Sequence, residues 1–193
     1  SSAGDYDGDQ KSDLAVFDSS SGAWYVRSLA GSLIAWATEW GWPRALPLPG
    51  DYDGDGLSDL CVFDNTTGNW FVISADGRIL IAWALAWGWP DAMPVPGDYD
   101  GDGTADYAVF DNDTGNWFVL AADQATILAW SLLWGWPGAV PVPGDYDGDR
   151  KADYAVYDIN IGEWYVLSSD QTTILNWSMA WGWPGAITVP GDY

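Results

Sequence analysis

The sequence predicts an all-β fold: a β-propeller of four-stranded antiparallel blades, with four repeats of about 47 residues per chain. Three observations carry the prediction. The hexapeptide Gly-Asp-Tyr-Asp-Gly-Asp begins at Gly4, Gly50, Gly97 and Gly144, and a fifth copy opens at Gly191, so one unit recurs at steps of 46, 47, 47 and 47 residues. Each unit reads as four short runs rich in β-branched and aromatic residues, separated by turn chemistry and without a helical period. A unit this short cannot bury its own apolar faces and must stack on its neighbours into one continuous core. The repeats are 4–49, 50–96, 97–143 and 144–190, with 191–193 beginning another, and together they form one propeller or half-propeller domain over 1–193.

The second repeat shows the elements in order. The first strand spans Leu46 to Tyr52, where Pro47 and Pro49 alternate with Leu46 and Leu48. An acidic loop leads into the second strand, Asp59 to Phe63. Asp64-Asn65-Thr66-Thr67-Gly68 has turn chemistry, its aspartate suited to bonding amides of its own turn. The third strand is Asn69 to Ser74, and a turn at Ala75-Asp76-Gly77 precedes the fourth, Ile79 to Trp89, which stops at Pro90. Along this last strand strict alternation places Ile81, Trp83, Leu85, Trp87 and Trp89 on one face and Ala82, Ala84, Ala86 and Gly88 on the other. Leu128, Trp130, Leu132, Trp134 and Trp136 repeat the bulky face, which assigns most of the sixteen tryptophans to a core of large faces set against small ones.

The acidic loops have the grammar of a calcium site. Aspartates stand at positions one, three, five and nine: Asp5, Asp7, Asp9 and Asp13; Asp51, Asp53, Asp55 and Asp59; Asp98, Asp100, Asp102 and Asp106; Asp145, Asp147, Asp149 and Asp153. Calcium is a hard cation that takes six to eight oxygens, and the backbone carbonyl at position seven (Lys11, Leu57, Thr104, Lys151) can add one. Four carboxylates so close together repel unless a cation neutralises them. The spacing predicts about four Ca²⁺ per chain. The loop is not an EF-hand, because Val16, Val62, Val109 and Val156 occupy position twelve. Position six is Gly56 and Gly103 in two loops but Gln10 and Arg150 in the others, which predicts weaker first and fourth sites.

The formal charge of −22 excludes a phosphate-tracking surface, since only six Lys and Arg are present and even four divalent ions would leave about −14. Nucleic acid is not an expected partner, and no run of eighteen apolar residues predicts membrane insertion. Cys61 stands where other repeats have Ala15, Ala108 and Ala155, and it reads as a small core residue without a disulfide framework. The absence of an initiator Met and of a leader fits a mature secreted or cell-surface form, or a fragment, and calcium is plentiful in that setting.

The series Val-Pro-Gly-Asp-Tyr-Asp-Gly-Asp-Gly-x-x-Asp-x-x-Val-Phe, Thr-Gly-Asn-Trp-Phe-Val and Trp-Gly-Trp-Pro resembles the FG-GAP/VCBS repeat family of bacterial surface and secreted proteins and integrin α-chain propellers. The resemblance covers the whole chain and implies calcium at the four aspartate sets. Two features depart from the family: Asp18, Asp64, Asp111 and Asp158 replace a common basic residue, and tryptophan is in excess.

The arrangement of strands bears on closure. Ser1-Ser2-Ala3 stands where other repeats have the Pro-x-Pro strand, and Ile187 to Pro190 is an additional copy of that strand. One chain can close as four blades, or two can join as an eight-bladed head-to-tail homodimer. Bulky outer and slim inner strands favour few blades, while the family resemblance favours a larger ring. Gly191-Asp192-Tyr193 duplicates Gly4-Asp5-Tyr6, so closure displaces one triplet unless the chain belongs to a longer array.

No catalytic constellation is present: the chain has no histidine, its aspartates recur symmetrically, and the sequence predicts no enzyme. The expected function is a calcium-stabilised binding module with lectin-like carbohydrate recognition or surface adhesion. Trp42, Trp89, Trp136 and Trp183, each followed by proline, are the ligand-binding candidates, with inter-sheet core as their other reading. The alternative function is a structural or protein-interaction scaffold that binds no sugar.

Overall fold

A computed structural model describes residues 4–189. The fold is all-β and built of propeller blades. Contacts divide the chain into two compact units, Ser1–Ala92 and Met93–Tyr193. The first unit holds a three-stranded sheet, β1 (Leu14–Asp18), β2 (Ala23–Arg27) and β3 (Leu33–Glu39), and a four-stranded sheet, β4 (Leu46–Pro47), β5 (Leu60–Asp64), β6 (Asn69–Ile73) and β7 (Leu80–Ala86). The second unit holds two four-stranded sheets. One contains β8 (Met93–Pro94), β9 (Tyr107–Asp111), β10 (Asn116–Leu120) and β11 (Ile127–Leu133); the other contains β12 (Val140–Pro141), β13 (Tyr154–Asp158), β14 (Glu163–Leu167) and β15 (Ile174–Ala180). All pairings are antiparallel between strands consecutive in sequence. We call the sheets blades one to four.

The inner strand is shorter than the sequence reading from Leu46 to Tyr52. Two residues pair, Leu46 opposite Phe63 and Pro47 opposite Val62, followed by a bond from Leu48 N to Cys61 O and an isolated bridge from Gly50 to Asp59. Proline cannot donate to a ladder, so alternating prolines leave room for only a few bonds. The Asp64 turn forms as its chemistry predicts: the carboxylate accepts from Thr66 N at 2.9 Å and from the Thr66 and Thr67 hydroxyls. Gly68, with φ of +79°, lies so close to the Gly88–Trp89 backbone that a Cβ would sit 2.2 Å from Trp89 N. Only glycine permits that approach.

The outer strands depart from strict alternation. Val72 is opposite Ala82 but Trp70 is opposite Leu85, so three steps on β7 answer two on β6, with Ala84 at φ +52° in the extra residue. Ala37, Ser131 and Ser178 take the same left-handed backbone on β3, β11 and β15. A second shift separates the Val72 and Ile73 pairs. These are β-bulges, and each one re-aims the side chains beside it.

The cores lie between adjacent blades of each unit. In the second unit Tyr99, Trp117, Val119 and Ala129 of blade three meet Tyr154, Val156 and Leu167 of blade four. Leu128, Leu132, Trp134 and Trp136 pack against this cluster as the bulky-face reading requires, but Trp130 does not, because the bulge takes it off that face. Nor do alanines of the next outer strand supply the opposing surface; its second and third strands do. The first unit repeats the arrangement, with Tyr6, Trp24 and Val26 against Leu60 and Val62. Trp70 and Trp117 are fully buried, and their indole N–H groups donate to Trp87 O and Trp134 O at 2.7 Å, so large apolar area is removed from water without stranding a donor. Cys61 is wholly buried, as a small core residue should be. Among the described residues no helix is long and apolar enough to cross a membrane.

Candidate functional site

Two features recur in every blade: an acidic loop and an exposed tryptophan. In each loop the structure gathers the aspartates at positions one, three and nine. One carboxylate oxygen from each of Asp5, Asp7 and Asp13 lies within 4.8 Å of the others, and the same holds for Asp51, Asp53 and Asp59, for Asp98, Asp100 and Asp106, and for Asp145, Asp147 and Asp153. The position-five aspartates Asp9, Asp55, Asp102 and Asp149 stand outside these groups. Each accepts the amide of position seven, as Asp55 does from Leu57 N at 2.8 Å, and Asp9 also pairs with Lys11 Nζ at 2.8 Å. The amides of Lys11, Leu57, Thr104 and Lys151 all serve this bond.

Backbone bonds hold the loops open around the carboxylates. Asp51 receives Gly54 N on one oxygen and Gly56 N on the other, at 2.7 and 2.9 Å. The ninth residue is the anchor. Asp106 is fully buried, accepts Tyr99 N at 2.7 Å on one oxygen and takes Ala122 N at 3.0 Å on the other. Asp153 bonds Tyr146 N and Ser169 N in the same way. Burial pushes the Asp59 and Asp106 carboxyls up to about 7 against the pull of the tyrosine amides. Neighbouring loops within a unit are tied together: Ser58 N donates to Asp5 O at 2.6 Å and Ala152 N to Asp98 O at 2.5 Å. Among the described residues four clusters of carboxylates, each running from a buried or half-buried ninth aspartate toward the loop surface, could therefore hold hard metal ions.

Of the four tryptophans read either as ligand-binding or as inter-sheet core, Trp42, Trp89 and Trp136 are half-buried, in line with the core reading, and Trp183 is open to solvent. Trp42 meets Phe71 and Trp136 meets Tyr165, both edge-on with centroids 4.9 Å apart, so these tryptophans serve blade packing. The exposed set is Trp36, Trp83, Trp130 and Trp177, at 66–70% exposure. Each sits beside its bulge and meets an aromatic ring of the preceding strand edge-on: Tyr25, Phe71, Phe118 and Tyr165, at 5.3–5.4 Å. Trp40 approaches Trp83 at 5.9 Å, and Trp134 approaches Trp177 at 5.8 Å. Strict alternation concealed these four residues. The signal that could have found them is the small residue after each: Ala37, Ala84, Ser131 and Ser178.

Residues 51–109, which span the second and third acidic loops from Asp51 to Asp59 and from Asp98 to Asp106, match the FG-GAP-like repeat family. No curated protein matches the chain. A solved structure of an Agrocybe aegerita lectin, described by its specific recognition of non-reducing terminal N-acetylglucosamine, is similar with a TM-score of 0.59 at 18% identity. The similarity covers 89% of this chain and 49% of that one, so the chain spans about half the lectin's length. The hexapeptide loop and the antiparallel sheet recur around the matched segment, so the FG-GAP-like stretch is part of a repeated unit on a β-propeller fold.

Proposed function

We propose that the chain is a non-enzymatic, calcium-stabilised propeller module that recognises carbohydrate. The observation that carries the reading is the fourfold set of exposed tryptophans, each braced edge-on by an aromatic ring. A rigid, solvent-facing indole offers a flat apolar platform to the C–H face of a pyranose, and equivalent shallow sites repeated along an array suit avidity. The likeness to a lectin supports the same ligand class.

Calcium fits the loops because the side chains that converge in each are carboxylates, and the one cation paired with a loop aspartate among the described residues, Lys11, sits on Asp9 outside the converging three. The position-one, -three and -nine aspartates would hold the ion. The position-five aspartates and the carbonyls of Lys11, Leu57, Thr104 and Lys151 would complete its shell after a small adjustment. Bound calcium would neutralise the clustered charge and fix the loop. Millimolar calcium outside cells matches a secreted or surface-exposed protein.

The test is a titration of tryptophan fluorescence with N-acetylglucosamine oligomers and a broader glycan panel in millimolar calcium. Saturable change that Trp83→Ala and Trp130→Ala each diminish would support the reading; no change with any glycan would overturn it. Exposed Leu33, Leu80, Ile127 and Ile174 lie on the same outer strands and favour a protein partner as the second reading. That reading is supported if a surface protein stripped of glycans is retained and free glycans are not.

A further inference from the structure

The four tryptophan platforms are not equivalent, and repeat symmetry breaks at blade four. Ring closure rests on Ser1–Ala3 and Pro190–Tyr193, which lie outside the described residues, whereas the fourth platform lies wholly within them. Three positions accompany each exposed indole: the first residue of the preceding strand, the ring that meets the indole edge-on, and the left-handed residue that follows it. They are Ala23, Tyr25 and Ala37 in blade one, Asn69, Phe71 and Ala84 in blade two, and Asn116, Phe118 and Ser131 in blade three. In blade four they are Glu163, Tyr165 and Ser178. Only this set combines a carboxylate with two hydroxyls.

The three side chains are joined. Glu163 Oε2 accepts the Tyr165 hydroxyl at 3.0 Å and the Ser178 hydroxyl at 2.5 Å. Glu163 and Tyr165 are half-buried and Ser178 is exposed, so the cluster stands at the surface. Trp177, next to Ser178 in the chain, packs edge-on against Tyr165 with centroids 5.4 Å apart. Trp136 meets the same tyrosine at 4.9 Å, and Trp134 approaches Trp177 at 5.8 Å. The tyrosine that fixes the carboxylate is thus itself braced by two tryptophans, one of them the exposed indole. Blade one has an acid nearby in Glu39, opposite Ala23 in the ladder, but that side chain is exposed and among the described residues bonds no hydroxyl.

Hydrogen-bond accounting selects the ligand. An ionised carboxylate only accepts, and each hydroxyl has one proton to give. Both protons are spent on Oε2, and among the described residues no other bond reaches the carboxylate. What remains for a ligand is Glu163 Oε1 with the lone pairs of Tyr165 and Ser178, an array of acceptors that carries a negative charge. Both salt bridges among the described residues, Lys11 with Asp9 and Arg78 with Asp76, lie elsewhere. A neutral hydroxyl would bring one donor and further lone pairs. An ammonium brings three donors, no acceptor and the opposite charge, and it is drawn to an indole face as well. Acetylation of that amine leaves a single N–H and adds a carbonyl oxygen that the carboxylate repels. The overall charge of −22 favours the approach of a cation.

We propose that the blade-four platform is an amino-sugar subsite, where the Trp177 indole carries the C–H face of a pyranose and Glu163 holds its free ammonium group. Tyr165 and Ser178 position the carboxylate and lend their remaining lone pairs to the same nitrogen. On the reading of the exposed tryptophans as sugar platforms, which this subsite presupposes, the fourth takes a cationic unit of a partly deacetylated oligosaccharide and the other three take neutral units.

Calorimetric titration with the trimers of glucosamine and of N-acetylglucosamine tests this, at physiological salt and in millimolar calcium so that the aspartate loops are occupied. The other platforms are removed by Trp36→Ala, Trp83→Ala and Trp130→Ala. The glucosamine trimer should then bind about tenfold more tightly than its acetylated counterpart, and Glu163→Gln should abolish the difference, as expected for one charge-assisted contact. Equal affinity for the two trimers, or a preference that survives Glu163→Gln, overturns the subsite; the broader reading still stands if the parent chain binds N-acetylglucosamine oligomers. Failure of the parent to bind either sugar overturns both. Transfer of the cluster keeps the test decisive should the triple variant fail to fold. Blade three already has Ser131, so Asn116→Glu with Phe118→Tyr in the otherwise unaltered chain should add a second glucosamine-preferring site, and an unchanged stoichiometry overturns the proposal. Spermidine, a polyamine without a sugar ring, should compete poorly. Equal competition also overturns the proposal, because the surface then reads charge alone.

Discussion

At the scale of the residue, the ninth aspartate of the second, third and fourth loops couples charge to folding. Asp59 and Asp106 have folded-state carboxyls raised to about 7 from an ordinary value of 3.8. The metal-free folded protein then holds protons that the unfolded chain has released, so its stability is greatest at low pH within this window. It declines as pH rises from about 4 through 7. Calcium favours the ionised form, so its affinity falls on acidification through the same window. Thermal midpoints from pH 4 to 8, in EGTA and in calcium, should diverge as pH increases. Parallel curves would refute the coupling. A second prediction concerns position six. Gln10 and Arg150 adopt φ of 65° and 71°, in a region where side chains crowd the backbone. Gln10→Gly and Arg150→Gly should each relieve about 1 kcal/mol of local strain, partly offset by chain entropy, and should raise calcium affinity at their loops. Calorimetric titration of the double variant against the parent measures this.

At the scale of the element, the loops, the turns and, in blades two to four, the strand count were legible in the sequence because their chemistry is local. Aspartates at fixed spacing, the Asp64-to-Gly68 turn and the alternating prolines each act within a few residues, and the structure places them where the spacing does. The bulges were not legible. Left-handed backbone is ordinarily advertised by glycine or asparagine, and here Ala84 and Ser131 adopt it because the blade imposes it. One extra residue is enough to move Trp83 from the bulky face to solvent. The sequence left Trp42 and Trp136 open between ligand surface and inter-sheet core, and the rings that half-bury them, Phe71 and Tyr165, belong to the neighbouring blade, which no pattern within one repeat identifies. The close approach of Gly68 to the Gly88–Trp89 backbone yields a sharper expectation. Gly68→Ala should lose about 3 kcal/mol or more, combining left-handed strain with a backbone clash, whereas Gly77→Ala, which meets nothing within 4 Å, should lose about 1–2 kcal/mol. Urea unfolding of the two variants separates the contributions.

At the scale of the whole molecule, a chain of charge −22 with four acidic clusters resists its own compaction. Removal of calcium should lower the thermal midpoint, and added monovalent salt should recover more stability in EGTA than in calcium, because screening substitutes in part for the lost cations. Equal salt responses would mean that the loops carry no structural ion. Burial also pushes the Cys61 thiol well above its usual range, so the thiol should react with an aromatic disulfide reagent only on unfolding. It thereby serves as an independent clock for opening of the second blade.

The bulges in β3, β7, β11 and β15 have one more consequence. These are the outermost strands of their sheets, each seven residues long and apolar along much of its length, and each pairs with a strand of its own sheet on one side only. A flat strand of that composition would be a template for cross-chain fibril growth. With a left-handed residue beside every tryptophan, successive amides no longer point along one line, and an incoming strand cannot match them. The distortion that displays the indole rings thus also keeps a tryptophan-rich array from polymerising through its own edges.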